Sequence, residues 1–319
     1  MLVSILIPCF NADHLVAQAI ESALAQTWSE RELIVLDDGS TDGSLEVIRS
    51  FDGRIRWETG PNRGSNAARN RLLELSRGEW LQYLDADDYL RPGKIQRQIE
   101  FAREHPDCDV IYSATLSEIM ENGRLALEEH QVPEPRDPWI LLAHWELPQT
   151  GGTLWKKKAL QRVGGWRIGQ PCCQEHELYF RLLEAGSRVE HCDCCLAVYR
   201  RWDHGARISN KLPLEVHRQR LLIMDRIEKH LRKYGELSTA RHAAINDTRH
   251  AAARMLWHQD RRWSRDIAEC IRASDPHYSP WGQPASPLTY SLAYRTLGFE
   301  AAQKLASCRR MLTSTKTLL

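Results

Sequence analysis

The sequence predicts an α/β protein in which a mostly parallel sheet is flanked by helices and followed by an all-helical extension. Short apolar runs alternate with segments of helical periodicity in residues 1–210. Acidic residues directly follow two of these apolar runs. After residue 211 only helical periodicity remains. We therefore expect one α/β domain at residues 1–210 and a basic α-helical region at residues 211–319.

The first part of the chain shows a regular alternation of strands and helices. Its apolar runs are short and end at proline or acidic residues, as buried strands do. The segments between them repeat apolar residues at helical spacing, and Asn11 or Asp13 is a candidate N-cap of the first helix. Predicted strands are 3–7, 33–36, 55–57 and 80–84, and predicted helices are 13–26, 45–51 and 66–77. Strands that alternate with helices in this way pair in parallel.

The rest of the chain is first irregular and then helical. Residues 120–138 lack a clear period and are expected to form a loop or an excursion from the fold. Strands are predicted at 109–113, 153–155 and 189–200, and helices at 138–146, 156–163 and 174–185. Helices alone are predicted at 214–234, 238–258, 263–273 and 288–312.

Composition and charge restrict the class of protein. With 42% hydrophobic and 27% charged residues, the chain has the composition of a folded globular protein. Its 43 basic and 42 acidic residues are unevenly placed, because residues 211–319 carry 19 basic and 10 acidic side chains. These basic helices could contact an anionic membrane surface, or they could present an ordinary solvated face. No recognition fold accompanies the charge, so we expect no nucleic-acid partner.

The beginning of the sequence predicts the compartment. Residues 1–10 are apolar but too short to span a bilayer, and they lack the basic start and the cleavage site of a signal peptide. We expect a cytoplasmic protein, with peripheral contact at the inner face of the membrane as a further option. The nine cysteines include two adjacent pairs and are expected to be free thiols. The Cys172–Cys195 cluster is a second candidate metal site, for zinc, but its spacing differs from that of common zinc motifs.

Acidic and glycine-containing motifs follow the predicted strands. Asp85, Asp87 and Asp88 come directly after a buried strand, and three carboxylates so close together are costly unless a cation neutralises them. Residues 37–40 follow another strand, and residues 62–70 form a glycine loop that enters a helix. The alternative interpretations are helix caps, turns and solvated helix ends. The carboxyl ends of parallel strands are where open α/β sheets bind ligands, which favours a nucleotide and metal site.

Four motifs in this order resemble the signature of glycosyltransferase family 2. The motifs are Pro8-Cys-Phe-Asn11, Asp37-Asp-Gly-Ser-Thr-Asp42, Asn62-x-Gly-x-x-x-Ala-Arg-Asn70 and Leu84-Asp-Ala-Asp-Asp88. The resemblance covers residues 1–210. It implies the GT-A fold, a nucleotide-diphospho-sugar donor and a divalent cation, Mg²⁺ or Mn²⁺.

The resemblance also implies roles for single residues. Pro8 and Phe10 would line the pocket for the nucleotide base, Asp38 would accept a hydrogen bond from that nucleotide base, and Arg69 would lie beside the nucleotide. Asp87 would ligate the metal, and Asp85 would face the metal or the ribose. His204 could complete the metal shell or clamp the diphosphate, or it could be a solvated loop residue. The resulting donor-binding set is Pro8, Phe10, Asn11, Asp38, Asn66, Arg69 and Asp85.

The catalytic base is expected at the entry of the helix that follows residue 173. Residues 174–182 resemble the family's acidic motif, and alignment on Leu178 and Arg181 places Glu175 where the family usually has an aspartate. Glu177 lies two positions further on and cannot share a helix face with Glu175. The alternative is a solvated helix start whose acids favour the helix dipole. The sequence therefore predicts Glu175 as the base.

These residues together imply an inverting, metal-dependent transfer of a sugar to an acceptor hydroxyl. The acceptor would be a saccharide or a lipid-linked saccharide, in the synthesis of a surface polysaccharide or glycoconjugate. One rival is a catalytically inactive relative that binds sugar nucleotides, because the base motif is atypical. The other rival is a phosphatase of the haloacid dehalogenase type, which requires Asp-x-Asp after the first strand, and residues 37–40 lack the intervening residue.

Overall fold

The computed structural model describes residues 1–121, 124–134, 136–201, 213–280 and 286–314. Contacts between Cα atoms divide the chain into two compact units, Met1–Val216 and His217–Leu319. The first unit contains the whole of the described sheet, and the second is helical.

The first unit is built on a nine-stranded sheet. Eight strands follow one path in the order β3-β2-β1-β4-β8-β6-β9-β5, and β7 pairs with β6 beside that path. The strands are β1 (Val3–Cys9), β2 (Arg31–Asp37), β3 (Arg56–Thr59), β4 (Trp80–Tyr83), β5 (Tyr89–Leu90), β6 (Val110–Glu121), β7 (Arg124–His130), β8 (Thr153–Lys156) and β9 (Val189–Arg200).

The pairing of these strands confirms the predicted fold class. Strands β3, β2, β1 and β4 are mutually parallel, as is the β6–β9 pair, whereas β5, β7 and β8 pair antiparallel. Since β1, β2 and β4 run in the same direction, their carboxyl ends meet at one edge of the sheet. That edge is where the acidic motifs begin.

Helices cover the sheet because their apolar stripes need a partner surface. The helices of the first unit are α1 (Val16–Leu24), α2 (Ser44–Arg49), α3 (Ser65–Leu75), α4 (Lys94–Glu104), α5 (Pro138–His144), α6 (Lys157–Arg162) and α7 (Gln174–Glu184). A 3₁₀ turn covers Thr150–Gly152. The core of β1 and α1 consists of fully buried aliphatic residues such as Ile5, Ile7, Val16 and Ile20.

Three local expectations were wrong. Residues 124–130, expected to lie in a loop, form strand β7, which pairs with β6 although most of its side chains are exposed. The predicted strand that begins at residue 109 extends to Glu121. Helix α1 begins after Leu15 and has no side-chain cap, so neither Asn11 nor Asp13 caps it.

The second unit has only helices as secondary structure throughout its described residues. The helices here are α8 (Pro213–Lys233), α9 (Thr239–Leu256), α10 (Arg261–Ser274) and α11 (Leu288–Ser314), and the last is kinked at Gly298, where φ is 80°. Its core includes Leu256, Trp257, Ile271 and Phe299. Among the described residues, no helix is long and apolar enough to cross a membrane.

Candidate active site

The loop after β1 and the loop after β2 hold each other at the sheet edge. The backbone N–H of Asn11 donates to Ser40 Oγ at 3.0 Å, and Asn11 Oδ1 accepts from the N–H of Thr41 at 2.8 Å. Asn11 adopts a positive φ of 49° to make these bonds, a conformation that asparagine tolerates better than most residues. Asn11 therefore shapes this side of the site through loop contacts.

Asp38 lies at the same edge and is buried. Its Oδ1 accepts from the N–H of Arg63 and its Oδ2 from the N–H of Gly64, both at 2.9 Å. The carboxylate thus fixes the glycine loop before α3. A carboxylate oxygen can accept more than one hydrogen bond, so Asp38 keeps further acceptor capacity.

The remaining predicted donor-binding residues differ in exposure. Phe10 is 50% exposed, so its ring is open for stacking, and Pro8 is half-buried. Asn66 is buried, and its Nδ2 donates to the carbonyl of Arg167 at 2.8 Å. Asn66 thus binds α3 to the loop before α7.

Asp85, Asp87 and Asp88 form a compact acidic turn. One carboxylate oxygen from each lies within 4.8 Å of the others, and the N–H of Asp88 donates to the carbonyl of Asp85 at 3.0 Å. Burial, together with the charges of Asp87 and Asp85, raises the pKa of Asp88 well above its usual value. This is the one group in the described parts of the chain with three or more side chains placed to hold a metal ion. The cysteines of the Cys172–Cys195 cluster do not form such a group there.

Arg200, at the end of β9, donates hydrogen bonds to this turn. Its N–H donates to Asp88 Oδ1 and its Nη1 donates to the carbonyl of Asp87, both at 3.0 Å. Its Nε also lies 3.4 Å from Glu118 Oε1. The sequence analysis did not select Arg200, because an arginine that ends an extended segment carries no local signal of such contacts.

Arg69 connects the acidic turn to the predicted base. It is 5% exposed, with Nη2 at 2.8 Å from Asp85 Oδ1 and at 3.6 Å from Glu175 Oε1. Its Nη1 donates to Gln174 Oε1 at 2.7 Å, and its guanidinium lies 4.7 Å from the ring centre of Trp166. Burial alone would lower the pKa of Arg69, but the charges of Asp85 and Glu175 raise it. A permanently charged guanidinium therefore joins two carboxylates of the site.

Glu175 and Glu177 have different environments at the start of α7. Glu175 Oε1 accepts from the Thr150 hydroxyl at 2.9 Å and faces Arg69. Glu177 is 1% exposed, and its carboxylate lies 2.8 Å from Arg181 Nε and 3.5 Å from Arg167 Nη1. Glu175 is connected to the acidic turn through Arg69, which also contacts Asp85. Thr150, which no sequence pattern marked, comes close to Glu175 through the 3₁₀ turn.

A cleft of about 230 Å³ opens beside Asp88. Its walls carry polar side chains from β6 and β7, among them Ser117 and His130, whose Oγ and Nε2 lie 2.6 Å apart. Trp145 lines it as well, held at a positive φ of 67° and stacked on His176 with ring centres 3.8 Å apart. His204, the remaining predicted metal ligand, lies outside the described residues.

The chain is similar to known glycosyltransferases in sequence. The model of the family "Glycosyl transferase family 2" matches residues 4–163. An uncharacterized glycosyltransferase of Haemophilus influenzae is 40% identical over 104 residues, which cover 31% of this chain and 42% of the relative. Chondroitin synthase of Escherichia coli is 27% identical over 217 residues, which cover 66% of this chain and 30% of the relative. The match thus spans less than half of either relative.

Solved structures share the fold. S. aureus TarS 1-349, crystallised in complex with UDP-GlcNAc, superimposes with a TM-score of 0.57 at 14% identity and covers 86% of this chain and 91% of its own. The mannosyltransferase PcManGT from Pyrobaculum calidifontis, in complex with GDP-Man and Mn²⁺, gives a TM-score of 0.50 at 17% identity and covers 97% of this chain and 86% of its own. At these identities the likeness concerns the fold.

Proposed function

The chain belongs to glycosyl transferase family 2, and from this membership we propose that it transfers a sugar from a nucleoside diphosphate to an acceptor hydroxyl with inversion. The observation that carries the proposal is the position of Arg69, whose Nη2 contacts both Asp85 and Glu175. The carboxylate proposed to bind the metal and the carboxylate proposed as the catalytic base thus both contact the guanidinium of Arg69. We assign the chemistry to residues 1–210.

The acidic turn fits a divalent cation. Three carboxylates within 4.8 Å repel one another, and hard cations such as Mg²⁺ or Mn²⁺ prefer such oxygen ligands. We propose Asp87 and Asp85 as its ligands, and the Mn²⁺ in the mannosyltransferase PcManGT supports this. When bound, the ion would neutralise the charge that develops on the departing diphosphate.

Glu175 is proposed as the general base. Thr150 and Arg69 both contact its Oε1, so the carboxylate is oriented and held beside a positive charge while Oε2 is left to accept a proton. The acceptor oxygen would attack the anomeric carbon as the bond from that carbon to the diphosphate breaks, and the hydroxyl proton would pass to Glu175. A single in-line displacement inverts the anomeric configuration.

The donor is proposed to lie along the sheet edge and the acceptor in the cleft. Pro8, Phe10 and Asp38 would hold the base, with TarS bound to UDP-GlcNAc as support for a nucleotide-sugar donor. The cleft beside Asp88 is lined by hydroxyl, imidazole and indole groups, which suit a saccharide. The similarity to chondroitin synthase supports a saccharide chain as acceptor. A lipid-linked saccharide remains a second option, with the basic helices after residue 211 in contact with the membrane.

A thermal-shift titration tests the metal and the donor. UDP-, GDP- and dTDP-sugars are added with Mn²⁺ to the wild type and to Asp87→Asn, with Asp107→Asn as control because Asp107 is exposed and distant in sequence from the acidic turn. We expect one donor to stabilise the wild type and the control in the presence of Mn²⁺, and Asp87→Asn to lose this effect. A Mn²⁺-dependent shift that survives in Asp87→Asn would exclude Asp87 as a ligand.

Kinetics of glutamate variants test the base. Glu175→Gln should lower kcat by about 10²–10⁴-fold with little change in donor affinity, because general-base catalysis contributes that much and glutamine is isosteric. Glu184→Gln, at the exposed end of the same helix, is the control and should retain activity. If Glu177→Gln rather than Glu175→Gln lost turnover with its fold intact, Glu177 would be the base. A wild type that binds donor but neither transfers nor hydrolyses it would indicate the inactive relative.

A further inference from the structure

A buried lysine interacts electrostatically with two cysteines. Lys94 opens α4 with a relative exposure of 0%, and its Nζ donates to Gln82 Oε1. Within the described ranges no carboxylate forms an ion pair with it. Burial lowers the pKa of Lys94 to about 7, against the opposing effect of Cys194 and Cys192. An ammonium in this position is stabilised if a neighbouring thiol carries the compensating charge.

The two cysteines are brought together by an irregularity in β9. Tyr112 of β6 pairs with His191 and Ala114 pairs with Cys195, so one residue of β6 lies opposite three residues of β9. This bulge contains Cys192 and Cys194, whose Sγ atoms are 3.9 Å apart. The two thiols therefore meet within the irregular part of the strand.

The two thiols have opposite electrostatic character. The S–H of Cys192 points to the sulfur of Cys194, and this hydrogen bond, together with Ser113 and the charges of Lys94 and Arg97, lowers the pKa of Cys194 below its usual value. The same pairing raises the pKa of Cys192. Cys194 is partly exposed and Cys192 is buried. One member is therefore suited to attack an external disulfide and the other to resolve the product.

We propose that Cys192 and Cys194 form a redox-active dithiol that a small-molecule disulfide, such as oxidised glutathione, converts to an intrachain disulfide. The thiolate of Cys194 attacks one sulfur of the small disulfide, which forms a mixed disulfide and releases one thiolate. Cys192 then loses its proton to solvent and attacks the sulfur of Cys194, which releases the second thiolate. Two protein thiols are oxidised by two electrons, and one external disulfide is reduced to two thiols.

Mass spectrometry of the full chain after incubation with oxidised glutathione tests the pairing. Cleavage after arginine gives a peptide of residues 189–200, which contains all three cysteines of this strand. We expect this peptide to lose the mass of two hydrogens in the wild type and in the control Cys195→Ser. Cys192→Ser should instead accumulate a glutathione adduct on Cys194, and Cys194→Ser should remain reduced. A disulfide that forms in Cys192→Ser but not in Cys195→Ser would overturn the assignment of Cys192 and Cys194 as the redox pair. A wild type that stays reduced would overturn it as well.

Alkylation kinetics test the electrostatic part. The rate at which iodoacetamide modifies Cys194 in the wild type should be half-maximal at a pH below the ~8.5 of an ordinary cysteine. Lys94→Met should move this midpoint upward. Arg97→Met alters only an exposed side chain and should move the midpoint upward by less. This variant replaces Lys94→Met in the test if Lys94→Met does not fold. A wild-type midpoint at the ordinary value would refute a lowered pKa of Cys194, and an unchanged midpoint in Lys94→Met would refute the role of Lys94.

Discussion

Replacing Arg69 by methionine removes the cation at the centre of the site while keeping a side chain of similar length. The lost contacts are the 2.8 Å bond to Asp85, the 2.7 Å bond to Gln174 and the packing on Trp166. Removing one partner of a buried ion pair costs about 3–5 kcal/mol, and the lower end applies because the Asp85 carboxylate is partly exposed. For a unit of this size, a loss of about 3 kcal/mol lowers Tm by about 6–12 °C.

Differential scanning calorimetry measures this change, and the chain supplies a matched control. Arg71 lies two residues further along α3 and pairs with Glu58 and Glu74, but it is exposed. Arg71→Met should unfold near the wild-type temperature, because exposed ion pairs contribute little. If Arg69→Met were as stable as Arg71→Met, the buried contacts of Arg69 would not stabilise the fold, and the argument that it holds Asp85 and Glu175 in place would fail.

Two further predictions concern Thr150 and His250. Thr150→Val keeps the shape of the side chain but removes the hydrogen bond to Glu175, so kcat should fall about tenfold or more while donor affinity is retained. Steady-state kinetics measure this change, and an unchanged kcat would contradict the role of Thr150 in positioning Glu175. Burial lowers the pKa of His250 to about 3, so its contribution to stability is complete above pH 6.5 and is lost as the pH falls from 6.5 towards 3. Urea unfolding should therefore show about 2 kcal/mol less stability at pH 5 than at pH 7. His250→Gln should weaken this dependence and the exposed control His258→Gln should not; equal profiles for the two variants would refute the assignment to His250.

The elements that sequence predicted well are those whose signal is local. Strands β1, β2 and β4 are short apolar runs, and the acidic motifs follow them directly, so the edge that carries Asp38 and Asp85 could be derived from the order of residues. Strand β7 could not, because its mostly exposed side chains show no alternation and its conformation is set by pairing with β6. Helix α4 was also missed, although its apolar residues do repeat at helical spacing.

The site shows a similar division at the level of single side chains. The sequence indicated which residue types lie at the sheet edge. It did not indicate which contacts position each side chain, because those contacts join residues far apart in sequence. Arg69 and Gln174 are separated by 105 residues, and Arg200 and Asp88 by 112. A lysine such as Lys94 looks in sequence like any solvated helix residue, and only the fold shows that it is buried.

The acidic turn lies between two strand pairings that become available at very different times during synthesis. Strand β4, before the turn, pairs with β1, so this pairing needs only the first part of the chain. Strand β5, after the turn, pairs with β9, where Tyr89 meets Val198, and the contacts of Arg200 also come from there. Because long-range closure is slow and waits for the later segment, the turn should reach its final shape near the end of folding. A nascent chain would thus form the parallel strands first and gain its proposed metal site only when β9 has joined the sheet.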